Sequence, residues 1–346
     1  MVRKKSTKNK YKKEGIEVVM KKLILFMFAL IASLVLVACQ EDSTDESSNT
    51  DAENEEQQTD ETNAEADATT EITVEHELGK TTVPVNPETI AVFDFGTLDT
   101  LDNLGVTVDA LPLANVPGYL DQFASDEYTN AGTLFEPDFE ALANLDPDLI
   151  IISGRTQEAY DDLSELAPTV YVTMDNADYL GSFEKNVTLM GEIFSKQTEA
   201  AEAVEKVKAE AAAVKEIVPE DKLGLIILTS DGSVNAYGPG SRFGLIHDVL
   251  GVTPVDETIE AVNHGQSISF EYLAEKNPDL LYVLDRNAVT GGDYTAETTL
   301  DNDLVNGTTA ATEGNITYLT PDYWYLSSGG ITSVTQMIEE IKQSIE

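Results

Sequence analysis

The sequence predicts an α/β protein made of two related lobes with a long helical stretch between them. Three observations carry this. The first is a repeat. Phe139-Glu140-Ala-Leu-Ala, then Pro147-Asp148-Leu149-Ile150, then Arg155 matches Phe270-Glu271-Tyr-Leu-Ala, then Pro278-Asp279-Leu280-Leu281, then Arg286. The second is a further match upstream, in the same order. Gly96 runs on to Leu104-Gly105-Val106 just as Arg242 runs on to Leu250-Gly251-Val252. The third is a set of short apolar runs separated by helical patterns, which is how parallel strands with crossover helices read.

The elements follow in order. Globular sequence starts near Ile72, and the expected strands are Ile90–Phe93, Leu149–Ile152, Val170–Val172, Leu223–Leu228, Leu280–Leu284 and Ile316–Leu319. His76 precedes the first of them and carries no signal. In each repeat unit a short helix leads through an Asn/Asp-Pro-Asp turn into a buried strand, with an arginine just past its C-terminal end. Gly105 and Gly251 each cap a helix that leaves a strand. Residues 72–181 form the expected first lobe, 182–218 the connecting helix and 219–346 the second lobe. Within the connection, Gln197 to Lys215 is rich in Ala, Glu, Lys and Val and free of Gly and Pro, so propensity favours one continuous helix there. Such a connection predicts a small opening motion. The final helix, from Ile331, lines up Ile331, Val334, Met337, Ile338, Ile341 and Ile345 on one face, as core packing requires.

Composition narrows the function. The 346-residue chain carries 63 Asp and Glu against 21 Lys and Arg, a net charge of −42, which excludes a general nucleic-acid binder. A single cysteine excludes an intramolecular disulfide and any multi-cysteine metal centre. At the N-terminus Lys21-Lys22 precede an apolar run from Leu23 to Val37, shorter than a bilayer span of about 20 residues. The run ends in Leu36-Val37-Ala38-Cys39, which resembles a lipobox. That resemblance implies cleavage before Cys39, acylation of its thiol, and a stable two-chain anchor on the outer face of the membrane. Residues 1–38 are then a leader, with translation expected from Met20. Residues 39–71 read as an acidic tether without large apolar residues.

The arginines point to the ligand. The chain has four, Arg3, Arg155, Arg242 and Arg286, and Arg3 falls in the leader. The other three sit at matched junctions near strand C-termini, where open α/β sheets bind ligands. Lysine would serve an ordinary surface ion pair, and elsewhere this chain uses lysine. Arginine offers a planar fork for oxyanions and stacks on aromatic faces. A three-arginine anion site is the expectation.

Ser241-Arg242-Phe243-Gly244-Leu245-Ile246-His247-Asp248, His264-Gly265-Gln266-Ser267, Asp285-Arg286-Asn287 and Pro321-Asp322-Tyr323-Trp324-Tyr325 resemble the C-lobe of siderophore-binding lipoproteins of ABC importers. The branch in question handles ferric petrobactin, enterobactin-type and related catecholates. Pro84 to Ile90 resembles that family's approach to the first strand, so the likeness covers about residues 72–346. It implies two Rossmann-like lobes joined by one long helix, with the ligand in the cleft, as in class III binding proteins. It implies a monomer without an intrinsic cofactor, a Gram-positive setting, and delivery of a ferric catecholate to a permease dimer with its ATPase. Residue by residue, Arg155, Arg242 and Arg286 match the triad that holds the anionic complex. His264 and Tyr325 match a pair that ligates iron when the siderophore leaves sites open. Glu140 and Glu271 match the acids that dock on the permease, with Glu136 assisting.

Other residues read as structure. Tyr323 and Trp324 are wall or core, His247 is packing, and Asn235 and Tyr237 are cleft-lining candidates. Alternatives on the same fold are haem or cobalamin. A secreted hydrolase is the enzyme alternative. Gly240-Ser241-Arg242-Phe243-Gly244 lacks the nucleophile-elbow order, and Ser241 has no evident partners, so the expectation is a binder and not an enzyme.

Overall fold

The structure, a computed structural model, describes residues 70–346. The leader, Cys39 and nearly all of the tether lie outside the described residues. The described chain opens with an antiparallel hairpin, β1 (Glu71–His76) and β2 (Gly79–Pro84). His76 therefore ends a strand instead of preceding the first one. The hairpin escapes the sequence pattern because only Val74 and Val83 of its strands are buried and little apolar alternation shows.

The first sheet contains β3 (Ile90–Val92), β4 (Ala110–Leu111), β5 (Thr129–Asn130), β6 (Leu149–Ile152) and β7 (Thr169–Tyr171). Its order is β5-β4-β3-β6-β7 and every pairing is parallel. The order reverses between β3 and β6, so the crevice beyond their C-terminal ends is the natural ligand position of this sheet. Helix α1 (Phe95–Asn103) leaves β3 and is capped by Asp94, whose carboxylate accepts the Thr97 amide. Helix α2 (Phe139–Leu145) leads into β6.

Two helices then follow, α3 (Tyr179–Ile193) and α4 (Gln197–Lys215). The continuous helix expected over Gln197–Lys215 spans those residues. The wider stretch 182–218 is not one helix: it breaks over 194–196, where Ser195 adopts a left-handed φ of 55°. The break turns α3 back along α4. Gly191 lies so close to Ala200 that a Cβ there would meet Ala200 Cβ at 2.7 Å.

The second sheet contains β8 (Leu223–Ser230), β9 (Ser233–Tyr237), β10 (Thr253–Pro254), β11 (Gln266–Ile268), β12 (Leu280–Asp285) and β13 (Ile316–Leu319). It runs β11-β9-β8-β12-β13, with β10 also paired to β8. Strands β8, β10, β12 and β13 are mutually parallel, but β9 and β11 are antiparallel to their neighbours. The sheet is mixed, where parallel pairing alone was expected. The cause is the two-residue turn Asp231-Gly232, with φ of 49° and 77°, which folds β9 directly back on β8. Helix α5 (Phe270–Lys276) leads into β12, and α6 (Ile331–Ile345) closes the chain.

The sequence repeat is a structural repeat. Helices α2 and α5 are both seven residues long and both end in a left-handed residue, Asp146 and Asn277. The next aspartate clamps the neighbouring strand in each copy. Asp148 accepts the Glu88 and Thr89 amides ahead of β3, and Asp279 accepts the Leu223 amide at the start of β8.

Alternation along the strands divides the core. Ile90, Val92, Leu149, Ile151 and Val170 join Ile226, Leu228, Leu280, Tyr282 and Leu284 in one continuous buried cluster, with α1, α3, α4 and α6 packed into it. The outer faces have their own clusters, around Ile150 and Ile152 in one sheet and Ile227 and Leu281 in the other. A shared apolar cluster ties the two sheets through burial worth roughly 25 cal/mol per Å². That suits a small hinge motion better than a wide one.

Candidate functional site

The three arginines converge on one residue. Arg155 lies three residues beyond the C-terminal end of β6, Arg286 directly after β12, and Arg242 in the turn that follows β9. Arg155 donates from Nη2 to the Tyr325 carbonyl at 2.6 Å and from Nη1 to the Leu326 carbonyl at 3.3 Å. Arg242 donates from Nη2 to the same Tyr325 carbonyl at 2.7 Å. Arg286 donates from Nε to the Tyr325 hydroxyl at 3.0 Å and from Nη1 to Ser230 Oγ at 3.1 Å. The guanidinium carbons lie 4.5, 5.7 and 6.0 Å from the Tyr325 ring centroid for Arg242, Arg155 and Arg286. Each is within cation–π reach.

Among the described residues no carboxylate pairs with these arginines. Every ion pair among the described residues uses a lysine: Lys80, Lys196, Lys206, Lys208, Lys222, Lys276 and Lys342. Three half-buried cations around one ring repel one another. Burial, and then the Arg155 charge, push the Arg242 guanidinium below its ordinary value. Burial pushes the Tyr325 phenol up, but the Arg286 hydrogen bond and the charges of Arg242, Arg286 and Arg155 outweigh it and hold the hydroxyl below its usual range. The site therefore favours negative charge, both on an arriving anion and on the Tyr325 oxygen.

The segment that carries Tyr325 is pinned from several sides. Residues Asp322–Leu326 form a single π-helical turn. Trp324 is fully buried and donates Nε1 to Glu340 at 2.7 Å, and Asp322 accepts the Gly118 amide at 2.9 Å. Beyond the turn, the fully buried carboxylate of Asp99 on α1 accepts the Thr332 and Ser333 amides at 3.0 and 2.7 Å, at the start of α6. Tyr119 links Asp99 to Ser327, with contacts of 3.1 and 2.7 Å. Sequence reasoning missed this fastening. The available signal was an aspartate inside the otherwise apolar stripe of Phe95, Leu98 and Leu101.

Other predicted residues are placed as follows. His264 is exposed, and among the described residues no hydrogen-bond partner holds its ring. Its neighbour Gly265 presses on the Tyr237 ring, where a Cβ would come within 2.7 Å. Tyr237 is core rather than cleft lining: it is buried against Phe243, and burial pushes its phenol up to about 12. His247 is buried, its Nδ1 2.7 Å from the Val252 carbonyl, as the packing reading expects. Tyr323 packs at the edge of the core, its ring centroid 4.9 Å from that of Tyr119. Glu140 and Glu271 are both exposed, each the second residue of its helix, in α2 and α5. Among the described residues no three His, Cys, Asp or Glu side chains gather into a metal-binding group, and no helix is long and apolar enough to cross a membrane.

Comparison with known proteins adds to this geometry. Residues 90–323 match the model of the family described as periplasmic binding protein. The petrobactin-binding protein YclQ of Bacillus subtilis is 42% identical over 94% of this chain and 100% of its own length. The ferric-anguibactin-binding protein FatB of Vibrio anguillarum is 33% identical over 79% of this chain and 87% of its own. The crystal structure of YclQ superposes with a TM-score of 0.78 at 45% identity, covering 80% of this chain and 99% of that one. The catecholate-siderophore-binding protein VctP of Vibrio cholerae superposes with a TM-score of 0.73 at 33% identity, covering 79% of this chain and 99% of that one.

Proposed function

The chain belongs to the periplasmic binding protein family, and from that premise we propose that it captures a ferric catecholate siderophore of the petrobactin type outside the cell and delivers it to an ABC importer. The observation that carries this reading is the meeting of Arg155, Arg242 and Arg286 on Tyr325 without a carboxylate partner. A protein with 63 acidic residues could have neutralised its three arginines many times over. Leaving them unpaired reserves them for an anion that arrives from outside.

A ferric tris-catecholate carries about three negative charges, and each charge-assisted hydrogen bond contributes roughly 1.5–3 kcal/mol. The guanidinium planes also offer stacking faces to catechol rings. Tyr325 presents a hydroxyl that already accepts from Arg286, and its remaining lone pair is free to reach iron that a tetradentate siderophore leaves open. His264 is the proposed second donor, from the loop that precedes β11. Iron here is cargo.

In this reading residues 72–181 and 219–346 are the two lobes and 182–218 the connection. Cys39 carries the lipid anchor that keeps the protein on the outer face of the membrane. Glu140 and Glu271 meet the permease, one from each structural repeat, in a pattern that suits a two-fold partner. The protein works as a monomer, without catalysis.

The test is a titration of the tether-and-fold portion, residues 40–346, monitored by quenching of tyrosine and Trp324 fluorescence. Ferric petrobactin, a tris-catecholate, a bis-catecholate, a trihydroxamate and haem are compared. Saturable submicromolar quenching by catecholates supports the reading. Quenching by haem or hydroxamate alone contradicts it.

A further inference from the structure

Phe135 is the most exposed large apolar side chain among the described residues, at 68%. It does not sit on a loose loop. Thr133 Oγ1 accepts the Phe135 and Glu136 amides at 3.2 and 2.9 Å, and Thr133 N donates to the Glu136 carbonyl at 2.9 Å. Gly132 and Pro137 pair across the turn. Gly132 has φ of 102°, and a Cβ there would lie 2.5 Å from the Glu136 carbonyl oxygen, so only glycine fits. Asp138 then caps α2 by accepting the Ala141 amide at 3.0 Å. The chain holds Phe135 out into water on a built turn, with Phe139 also exposed at the start of α2, and so leaves unused the roughly 25 cal/mol per Å² that covering this apolar surface would supply.

Two further features say what covers it. The Leu134 carbonyl, one residue before Phe135, accepts from Thr156 Oγ1 at 2.8 Å, and Thr156 is buried and follows Arg155 directly. The turn is thus bonded to the ligand-holding loop and sits on the rim of the site. Whatever takes the ligand out of the cleft must approach this rim. The surroundings are also acidic: Glu136, Asp138 and Glu140 are exposed, and the stretch 131–146 holds no lysine or arginine. An anionic lipid surface would be repelled, whereas a basic protein surface with an apolar pocket would fit.

The second structural repeat lacks this knob. Its helix-opening Phe270 packs against the core of its sheet, whereas Phe139 is 38% exposed. Glu140 and Glu271 are matched, but Phe135 and Phe139 break the match.

Building on the proposed delivery to a permease, we infer that Phe135, flanked by Phe139 and the carboxylates of Glu136 and Glu140, is the apolar anchor by which the first lobe docks on the permease.

The test replaces the natural gene by Phe135→Ser and by Phe135→Leu, and measures uptake of iron-loaded siderophore by the cells. It also measures ferric petrobactin affinity and Tm of the purified proteins. Phe135→Ser is expected to lower uptake about tenfold, with affinity within about twofold of wild type and Tm unchanged or higher, because the side chain is largely in solvent. Phe135→Leu is expected to restore most of the uptake. Unchanged uptake in Phe135→Ser would overturn the inference, as would a parallel loss of affinity, which would make Phe135 part of the ligand site. Failure of the wild-type protein to bind any ferric chelate would instead remove the functional reading beneath it.

Discussion

Replacing Arg242 by glutamine separates binding from folding. Arg242 donates to the Tyr325 carbonyl at 2.7 Å, but Arg155 holds the same carbonyl at 2.6 Å, so the acceptor stays satisfied in the variant. The variant loses a cation–π contact of 4.5 Å, worth about 0.5–2 kcal/mol. It also sheds a half-buried charge that stands against Arg155, which offsets that loss. The net change in stability is expected below about 1 kcal/mol, or under about 4 °C in Tm for a chain of this size. Ligand affinity behaves differently. One charge-assisted bond of roughly 1.5–3 kcal/mol is removed. At about 1.4 kcal/mol per tenfold, the dissociation constant rises about 10- to 150-fold. Arg155→Gln provides the contrast, because it strips the Leu326 carbonyl of its partner and should lower Tm as well as affinity. Fluorescence titration with ferric petrobactin and thermal melts on the same samples decide the matter. Unchanged affinity in Arg242→Gln, or a Tm loss as large as that of Arg155→Gln, would refute the reasoning.

Further outcomes are expected. Tyr325→Phe keeps the ring beneath the guanidinium groups but removes the hydroxyl. It should weaken a ferric bis-catecholate about tenfold and alter its visible charge-transfer band, while a hexadentate tris-catecholate changes less than about threefold; titrations followed by absorbance read both. The double variant Glu140→Lys with Glu271→Lys should bind ligand normally and lose more than about 90% of uptake, measured in cells as iron accumulation. His247 is buried and its imidazole is pushed below the ordinary value of 6.5, chiefly by burial. The depressed value means that its stabilising contribution is complete above that pH and is lost as the pH falls through the folded-state value. Urea midpoints measured from pH 7.5 down to pH 5 should therefore fall more steeply for the natural protein than for His247→Gln.

The repeat was legible because its two copies keep the same chemistry at the same spacing. The αL residues Asp146 and Asn277 and the clamps Asp148 and Asp279 are parts of one device that both copies need. The arginines were legible because the chain spends arginine so sparingly. Their convergence was not, since Tyr325 arrives from a distant π-helical turn whose position depends on Asp99, Tyr119 and Trp324. Hydrogen bonds between residues more than 200 positions apart leave no trace in spacing. The antiparallel course of β9 was within reach, because Asp231-Gly232 is a strong hairpin signal between two apolar runs. The break at Ser195 was harder to foresee: helical propensity continues on both sides, and only the packing of α3 against α4 requires the turn.

The most direct measurement is a crystal structure of residues 70–346 with ferric petrobactin bound. The account predicts that the anionic oxygens of the chelate lie within hydrogen-bond distance of Arg155, Arg242 and Arg286, with catechol rings stacked on guanidinium planes and Tyr325 facing the iron. A chelate seated elsewhere, or one held by lysines with the three arginines still gathered on Tyr325 alone, would contradict it.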